Sequence, residues 1–217
     1  MPDPDRTAEA IDDLLDPATG AVERADVALA MKAARLRDVP AIRALGTLSE
    51  VADQPPAYAV SGAALALGLL AGRPRLAEAG ARMLLSVTLA IAAKSAVKAV
   101  VARTRPSKVL DEGHYEVKAM GPNEGPWNSF PSGHTADAVA MARAIARVAP
   151  EAAMPAYGAA VVIAGVQVPR GAHYPVDVAA GALVGWGAEA AADWAWTRAR
   201  PVVAEVLPEA RWPGSER

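Results

Sequence analysis

No charged residue interrupts the chain between Asp53 and Arg73. The apolar run 54–72 enclosed by them matches the ~20 residues that a helix needs to cross the hydrocarbon layer of a bilayer. It is the best single candidate for a transmembrane segment, and it limits the folds open to the chain. A second charge-free run covers residues 152–169, and residues 83–93 form a third apolar stretch. Hydrophobic residues make up 53% of the chain and aromatics only 5%. The apolar content is therefore mostly Ala, Val and Leu, which favour helix and suit either a bundle core or membrane spans.

Five helices can be placed after an amphipathic start. Residues 1–20 read as a polar tail. Their acidic character, without a basic start followed by an apolar run, excludes a cleavable secretory signal. Residues 21–48 read as an amphipathic helical region interrupted at Pro40 and too charged to span a bilayer. The run 54–72 is the first long helix, and a second is predicted over 76–103, with Lys94 and Lys98 toward its C-terminal end. Residues 107–130 read as a loop. The third helix opens at His134 and reaches Val148, Pro150 and Pro155 break the pattern, and 156–168 supply the fourth. The fifth spans 176–196, and 197–217, with three prolines, form a C-terminal tail. At 217 residues, one domain over 21–196 is the natural division. The expected fold is all-α: an integral-membrane helical bundle of four to five long helices plus an N-terminal amphipathic helical region.

If the helices alternate direction, the end of the second, the start of the third and the junction between the fourth and fifth share one side. Polar and ionisable residues concentrate at those places. Arg143, Arg147, Glu189 and Asp193 must then face the bundle or snorkel. Arg73, Arg75, Arg147, Arg198 and Arg200 fall on the opposite side, so the positive-inside rule turns the motif-bearing face outward. The basic residues of the N-terminal region oppose that orientation. A formal net charge of -2 argues against nucleic acid as a partner. The absence of cysteine removes disulfides, thiol nucleophiles and cysteine zinc sites from consideration.

Three groups of residues carry chemistry. Lys98 and Arg105 are seven apart, close to two helical turns, which puts both on one face just before Pro106. Arg offers a planar fork for phosphate oxygens and Lys a point charge. In Phe130-Pro131-Ser132-Gly133-His134, Ser132 can cap a helix whose free N–H groups attract phosphate. Gly133 lets a ligand approach the backbone, and His134 exchanges protons near neutrality. In Arg170-Gly171-Ala172-His173-Tyr174-Pro175-Val176-Asp177, Asp177 lies one turn after His173 and can hold the imidazole in one tautomer, as an oriented nucleophile or base. Each group also has a plain reading: snorkelling cations, a helix cap, and an acid at a helix start.

Together the three groups resemble the type 2 phosphatidic acid phosphatase superfamily. Its blocks Lys-x6-Arg-Pro, Pro-Ser-Gly-His and Arg-x5-His-x3-Asp are matched by Lys98 to Pro106, by Pro131 to His134 and, for the last part of the third, by His173 to Asp177. The similarity covers roughly residues 45–196. It implies that His173 attacks phosphorus to form a phosphohistidine, that Asp177 orients it, and that His134 protonates the leaving oxygen. Lys98, Arg105, Ser132 and the Gly133 amide would hold the phosphoryl oxygens. No metal or other cofactor enters this scheme.

The third block departs from the family. Six residues before His173, where the family has a phosphate-binding Arg, stands Gln167, which donates only a neutral hydrogen bond. Arg170, three residues before His173, is the candidate substitute. The leading expectation is a membrane-embedded phosphatase acting on an amphiphilic phosphate of the phosphatidate, phosphatidylglycerophosphate or polyprenyl phosphate type, among membrane lipids and with an extracytoplasmic catalytic face. Two others are a soluble acid phosphatase or vanadate-dependent haloperoxidase relative, and a catalytically weak phospholipid-binding membrane protein.

Overall fold

The computed structural model describes residues 15, 20–121 and 124–206, with the side chains of 202–206 left aside. The tail expected over 1–20 lies almost wholly outside these residues, as does the chain beyond 206. The described chain is a helical bundle, the class expected. Two short helices lead in, α1 (Ala21–Ala34) and α2 (Pro40–Ser49), followed by a 3-10 turn at Glu50–Ala52. The five helices of the bundle proper are α3 (Gln54–Leu70), α4 (Pro74–Val100), α6 (Gly133–Val148), α7 (Ala153–Val166) and α8 (Pro175–Val206). The last runs on well past the expected end at Trp196, through Pro201.

The stretch expected to be a loop is partly ordered. Helix α4 stops at Val100, and Val101–Arg103 become a strand, β1, paired antiparallel with β2 (Val117–Ala119) in the register Val101↔Ala119, Ala102↔Lys118 and Arg103↔Val117. Between the strands lies α5 (Pro106–Glu112), which opens with Pro106 in its first turn. This corrects the helix expected to reach Arg103. Pro106 starts a helix here and ends none, consistent with its fixed φ and missing donor.

Helix α4 sits in the middle of the bundle, packed against α3, α6 and α8. It is also the one described helix long and apolar enough to cross a membrane. The candidate favoured from sequence, α3, has 17 residues, or roughly 25 Å at ~1.5 Å per residue, against a hydrocarbon thickness of ~30 Å. Several charges on α4, α6 and α8 turn inward and pair. Glu189 of α8, 1% exposed, accepts from Arg143 and Arg147 of α6, each at 2.8 Å. Arg82 bridges Glu78 and Asp193 at 2.9 and 2.6 Å.

The alternation of helix direction holds. Arg75 and Glu151 meet at 3.9 Å at one end of the bundle. At the other, the Ser132 amide donates to the Asp177 carbonyl at 2.9 Å, tying the start of α6 to the start of α8. Two glycines allow this approach: a Cβ on Gly181 would lie 2.4 Å from the Ser132 carbonyl oxygen, and one on Gly185 2.2 Å from that of Ala136. Helices α6 and α8 thus run side by side with their N-termini together, two positive dipole ends at one place.

Candidate active site

At the start of α8, His173 is 2% exposed. Its Nδ1 lies 2.6 Å from the Ser129 carbonyl oxygen and 3.7 Å from Asp177 Oδ2. A carbonyl only accepts, so Nδ1 carries the proton and Nε2 keeps its lone pair. The Ser129 carbonyl was not foreseen; it makes the direct hydrogen bond, with the Asp177 carboxylate beside it. Burial pushes the His173 imidazole down to about 4, against the pull of Asp177 and helped by the positive charges of Arg105 and Lys98. The ring is therefore neutral at physiological pH.

Asp177 serves as the acid of the helix start and stands 3.7 Å from the imidazole. Its Oδ2 accepts from the Tyr174 amide at 2.9 Å, reaching back to the residue that precedes the helix as an acid in the first turn commonly does. Its Oδ1 accepts from Arg103 Nη1 at 2.7 Å. Arg103 had no role in the sequence reading, although it stands two residues before Arg105.

Lys98 and Arg105 do come together with His173, but not by helical periodicity. Lys98 is in the last turn of α4, whereas Arg105 precedes α5 in extended conformation. The two are close enough for the charges of each to act on His173. Strand β1 between them makes the turn. Lys98 Nζ donates to the Asn128 carbonyl at 2.8 Å and to Asn128 Oδ1 at 2.5 Å, so a residue from the long connection holds it. Arg105 is partly buried, and its shielded Nε has no partner among the described residues. Burial, and then the nearby charge of Arg170, lowers the pKa of the Arg105 guanidinium. An anion there would relieve both effects.

At the start of α6, Ser132 caps the helix as expected, accepting from the Thr135 amide at 3.4 Å. Gly133 is its first residue, and a Cβ there would meet Lys94 Nζ at 3.1 Å. Lys94 is buried and donates to Asp137 Oδ2 at 2.5 Å, a further charge beneath this helix end. His134 is partly buried, with Nε2 3.3 Å from Glu50 Oε2.

Glu50 also pairs with Arg170, Oε1 to Nη2 at 2.7 Å. Arg170 Nη1 donates to Ser49 Oγ at 2.9 Å and to the Gly46 carbonyl at 3.2 Å. Gln167 is fully buried, and its Nε2 donates to Ser49 Oγ at 3.2 Å and to the Ile163 carbonyl at 2.8 Å. Ser49 thus joins the residue that departs from the family to its candidate substitute. Nothing in the motif spacing pointed to Ser49 or Glu50, which come from the lead-in to α3.

Two clefts adjoin these groups. One of about 370 Å³ is lined by Arg105, Ser107, Lys108 and Asp111. The other, about 390 Å³, is mostly apolar, with Val22, Val101, Val117, Phe130 and Val176 around Arg103. Among the described residues no group of three or more His, Asp or Glu is placed to hold a metal ion.

A family model described as the PAP2 superfamily matches residues 79–203. Among solved structures, this fold is similar to the crystal structure of a transmembrane PAP2-type phosphatidylglycerolphosphate phosphatase from Bacillus subtilis. The TM-score is 0.51 at 20% identity, with 85% of this chain and 90% of that chain covered. A comparison with the curated proteins gives no match.

Proposed function

This chain belongs to the PAP2 superfamily and is a phosphoric-ester hydrolase of the PAP2 type, and we propose that it removes phosphate from an amphiphilic phosphate or diphosphate at a membrane, through a phosphohistidine on His173. The observation that carries this reading is the state of His173: neutral, with Nδ1 held by a carbonyl and Nε2 left as nucleophile beside Lys98 and Arg105. Nε2 attacks phosphorus, the bond from phosphorus to the leaving oxygen breaks, and His134 gives that oxygen a proton. Water then attacks the phosphohistidine, His134 takes the water's proton, the P–N bond breaks and phosphate leaves. Lys98, Arg105, the capped Ser132 and the Gly133 amide hold the phosphoryl oxygens, where charge builds in the transition state. Arg170 stands in for the arm lost at Gln167.

The polar cleft beside Arg105 and the apolar cleft around Arg103 suit a substrate with a charged head and an apolar tail. The structural neighbour is a phosphatidylglycerolphosphate phosphatase, and lipids of that kind head the candidates, with phosphatidate and polyprenyl phosphates. Helix α4 and the apolar faces of the bundle favour an integral-membrane location. The arginines at the far end, Arg73, Arg75, Arg147, Arg198 and Arg200, favour a catalytic face outside the cytoplasm.

The test is phosphate release from a panel of lipid phosphates in detergent, with and without EDTA and orthovanadate, for the native chain and His173→Ala. Release from at least one lipid, blocked by vanadate, untouched by EDTA and absent in His173→Ala, is the expected result. Full activity in His173→Ala removes the nucleophile, and loss with EDTA removes the metal-free scheme. A second reading, a silent phospholipid binder, draws on the engagement of Gln167 by Ser49 and Ile163. It predicts vanadate binding with no phosphate release from any lipid.

A further inference from the structure

Behind His173 lies a chain of buried charges that begins outside the segment matched by the family model. Asp26, on α1, is 6% exposed, Arg103 is 6% exposed and Asp177 is fully buried. Arg103 uses every arm of its guanidinium: Nη1 donates to Asp177 Oδ1 at 2.7 Å, Nη2 to Asp26 Oδ2 at 2.8 Å and Nε to the Tyr115 hydroxyl at 3.1 Å. Its face stacks on Tyr174, 3.8 Å from the ring centroid. The other oxygen of Asp26, Oδ1, accepts from the Val176 amide at 2.9 Å. That amide is one of the donors left without a partner at the start of α8. One carboxylate from α1 therefore caps the helix that carries Asp177 and anchors the cation that grips Asp177.

Holding α1 in place does not by itself require such an arrangement. Val27, Ala30, Met31 and Ala34 already bury an apolar face of α1, and Glu23 pairs with the Tyr115 hydroxyl at 2.5 Å. What Asp26 adds is geometry at the reacting side. With one guanidinium shared between two carboxylates, neither neutralises it alone. Asp177 keeps part of its negative charge for the imidazole, and its plane is set by a rigid fork. Removing the second carboxylate lets Arg103 turn wholly onto Asp177, weakening the field that supports His173 as it becomes cationic on attack.

We propose that Asp26 and Arg103 are positioning residues for the phosphoryl-transfer step, Arg103 bridging Asp177 to α1 so that this helix orients the nucleophile. The inference rests on the reading of His173 as that nucleophile, and the experiment separates the two. The native chain in detergent is compared with Asp26→Asn, Arg103→Lys, Asp177→Asn, the double variant Asp26→Asn/Asp177→Asn, and His173→Ala. The substrate is an activated aryl phosphate, whose leaving group needs little protonation, so that kcat follows the attack.

The expected result is a loss of about 10- to 100-fold in kcat for Asp26→Asn and for Arg103→Lys, with KM within about twofold. In the Asp177→Asn background, Asp26→Asn should cost no more than about twofold further, because its effect passes through Asp177. Arg103→Lys keeps the charge but gives up the two-armed bridge, and it carries the test if Asp26→Asn fails to fold in a thermal-unfolding scan. Native kcat in Arg103→Lys, or an undiminished effect of Asp26→Asn when Asp177 is already Asn, overturns the proposal. Activity retained in His173→Ala instead overturns the reading beneath it.

Discussion

His173 and His134 stand at neighbouring helix starts, and their surroundings differ. His173 is buried, its Nδ1 is committed to a backbone carbonyl, and Asp177, Arg103 and Asp26 lie in series behind it. His134 is partly exposed, and one carboxylate, that of Glu50, meets it at 3.3 Å. Glu50 is itself half open to solvent; burial raises its pKa, but Arg170 and His134 more than reverse that and hold the carboxyl below its ordinary value. A nucleophile must meet phosphorus on one line, and several partners hold its ring to that line. A proton donor to a leaving group has to serve oxygens that differ in position from one substrate to the next. The lighter support on the α6 side fits that demand.

The comparison can be broken most sharply by removing each imidazole. His173→Ala should abolish turnover, a loss on the order of 10³-fold or more, for alkyl and aryl phosphates alike, since no P–N bond can form. His134→Ala should cost roughly 10²- to 10⁴-fold on an alkyl phosphate, the usual worth of a general acid, and far less on an aryl phosphate whose leaving group departs unprotonated. Parallel phosphate-release assays on the two esters check both. Equal losses on both esters in His134→Ala would show that its side is not the leaving-group side.

A pH profile sharpens the same contrast with a smaller effect. Burial holds His173 at about 4 where an ordinary imidazole titrates near 6.5. Protonation therefore silences the nucleophile only as pH nears 4. Phosphoenzyme formation in a single turnover on the aryl phosphate, whose leaving group needs no proton from His134, corrected for the second ionisation of the substrate, should stay level from pH 7 to 5 and fall below that. A limb near 6.5 would place the imidazole in an ordinary, hydrated setting. For stability the sign is the same. Between 6.5 and about 4 the unfolded chain binds more protons than the folded one, so stability is complete above that window and declines as pH falls through it.

How far this was legible in the sequence differs from feature to feature. Charge-free runs and proline breaks located the five bundle helices but not the ends of α4 and α8, because apolarity marks the packed middle of a helix better than its termini. The three motif groups drew out His173, Asp177, His134, Ser132 and Gly133; the Ser132 cap and the Asp177 contact with the Tyr174 amide lie within three residues, whereas the Ser129 carbonyl on His173 and Glu50 beside His134 are distant in the chain. The pairing of Lys98 with Arg105 was reached for the wrong reason: β1 intervenes, and strand pairing with residues 117–119 is a non-local event that helical spacing cannot register. Asp26, Glu50, Ser49 and Asn128 lay out of reach for the same cause. Each meets the site across tens of residues of chain, and nothing in its own surroundings distinguishes it from a solvated polar residue. Arg103 was nearest to being seen, as a third cation within eight residues.

The smallest expected effect concerns the arm of the clamp that differs from the family. Arg170 is held by Glu50, Ser49 and the Gly46 carbonyl, and its charge is felt by Arg105. Gln167, four residues after Ile163, spends its amide on that residue's carbonyl and on Ser49. If Arg170 is the substitute, Arg170→Ala should lower kcat/KM by about 10-fold, the worth of one charge-assisted contact at ~1.5 kcal/mol. Gln167→Arg should bring no gain, because a longer cation would enter a fully buried position whose acceptors suit an amide. Its thermal midpoint in detergent should fall instead, as an unpaired buried charge requires. The reverse outcome, Gln167→Arg raising turnover while Arg170→Ala leaves it untouched, would mean that Arg170 serves only to hold Glu50. The α6 side would then stand one charge short, and its lighter construction would mark a weakened clamp, with no gain in the range of leaving groups accepted.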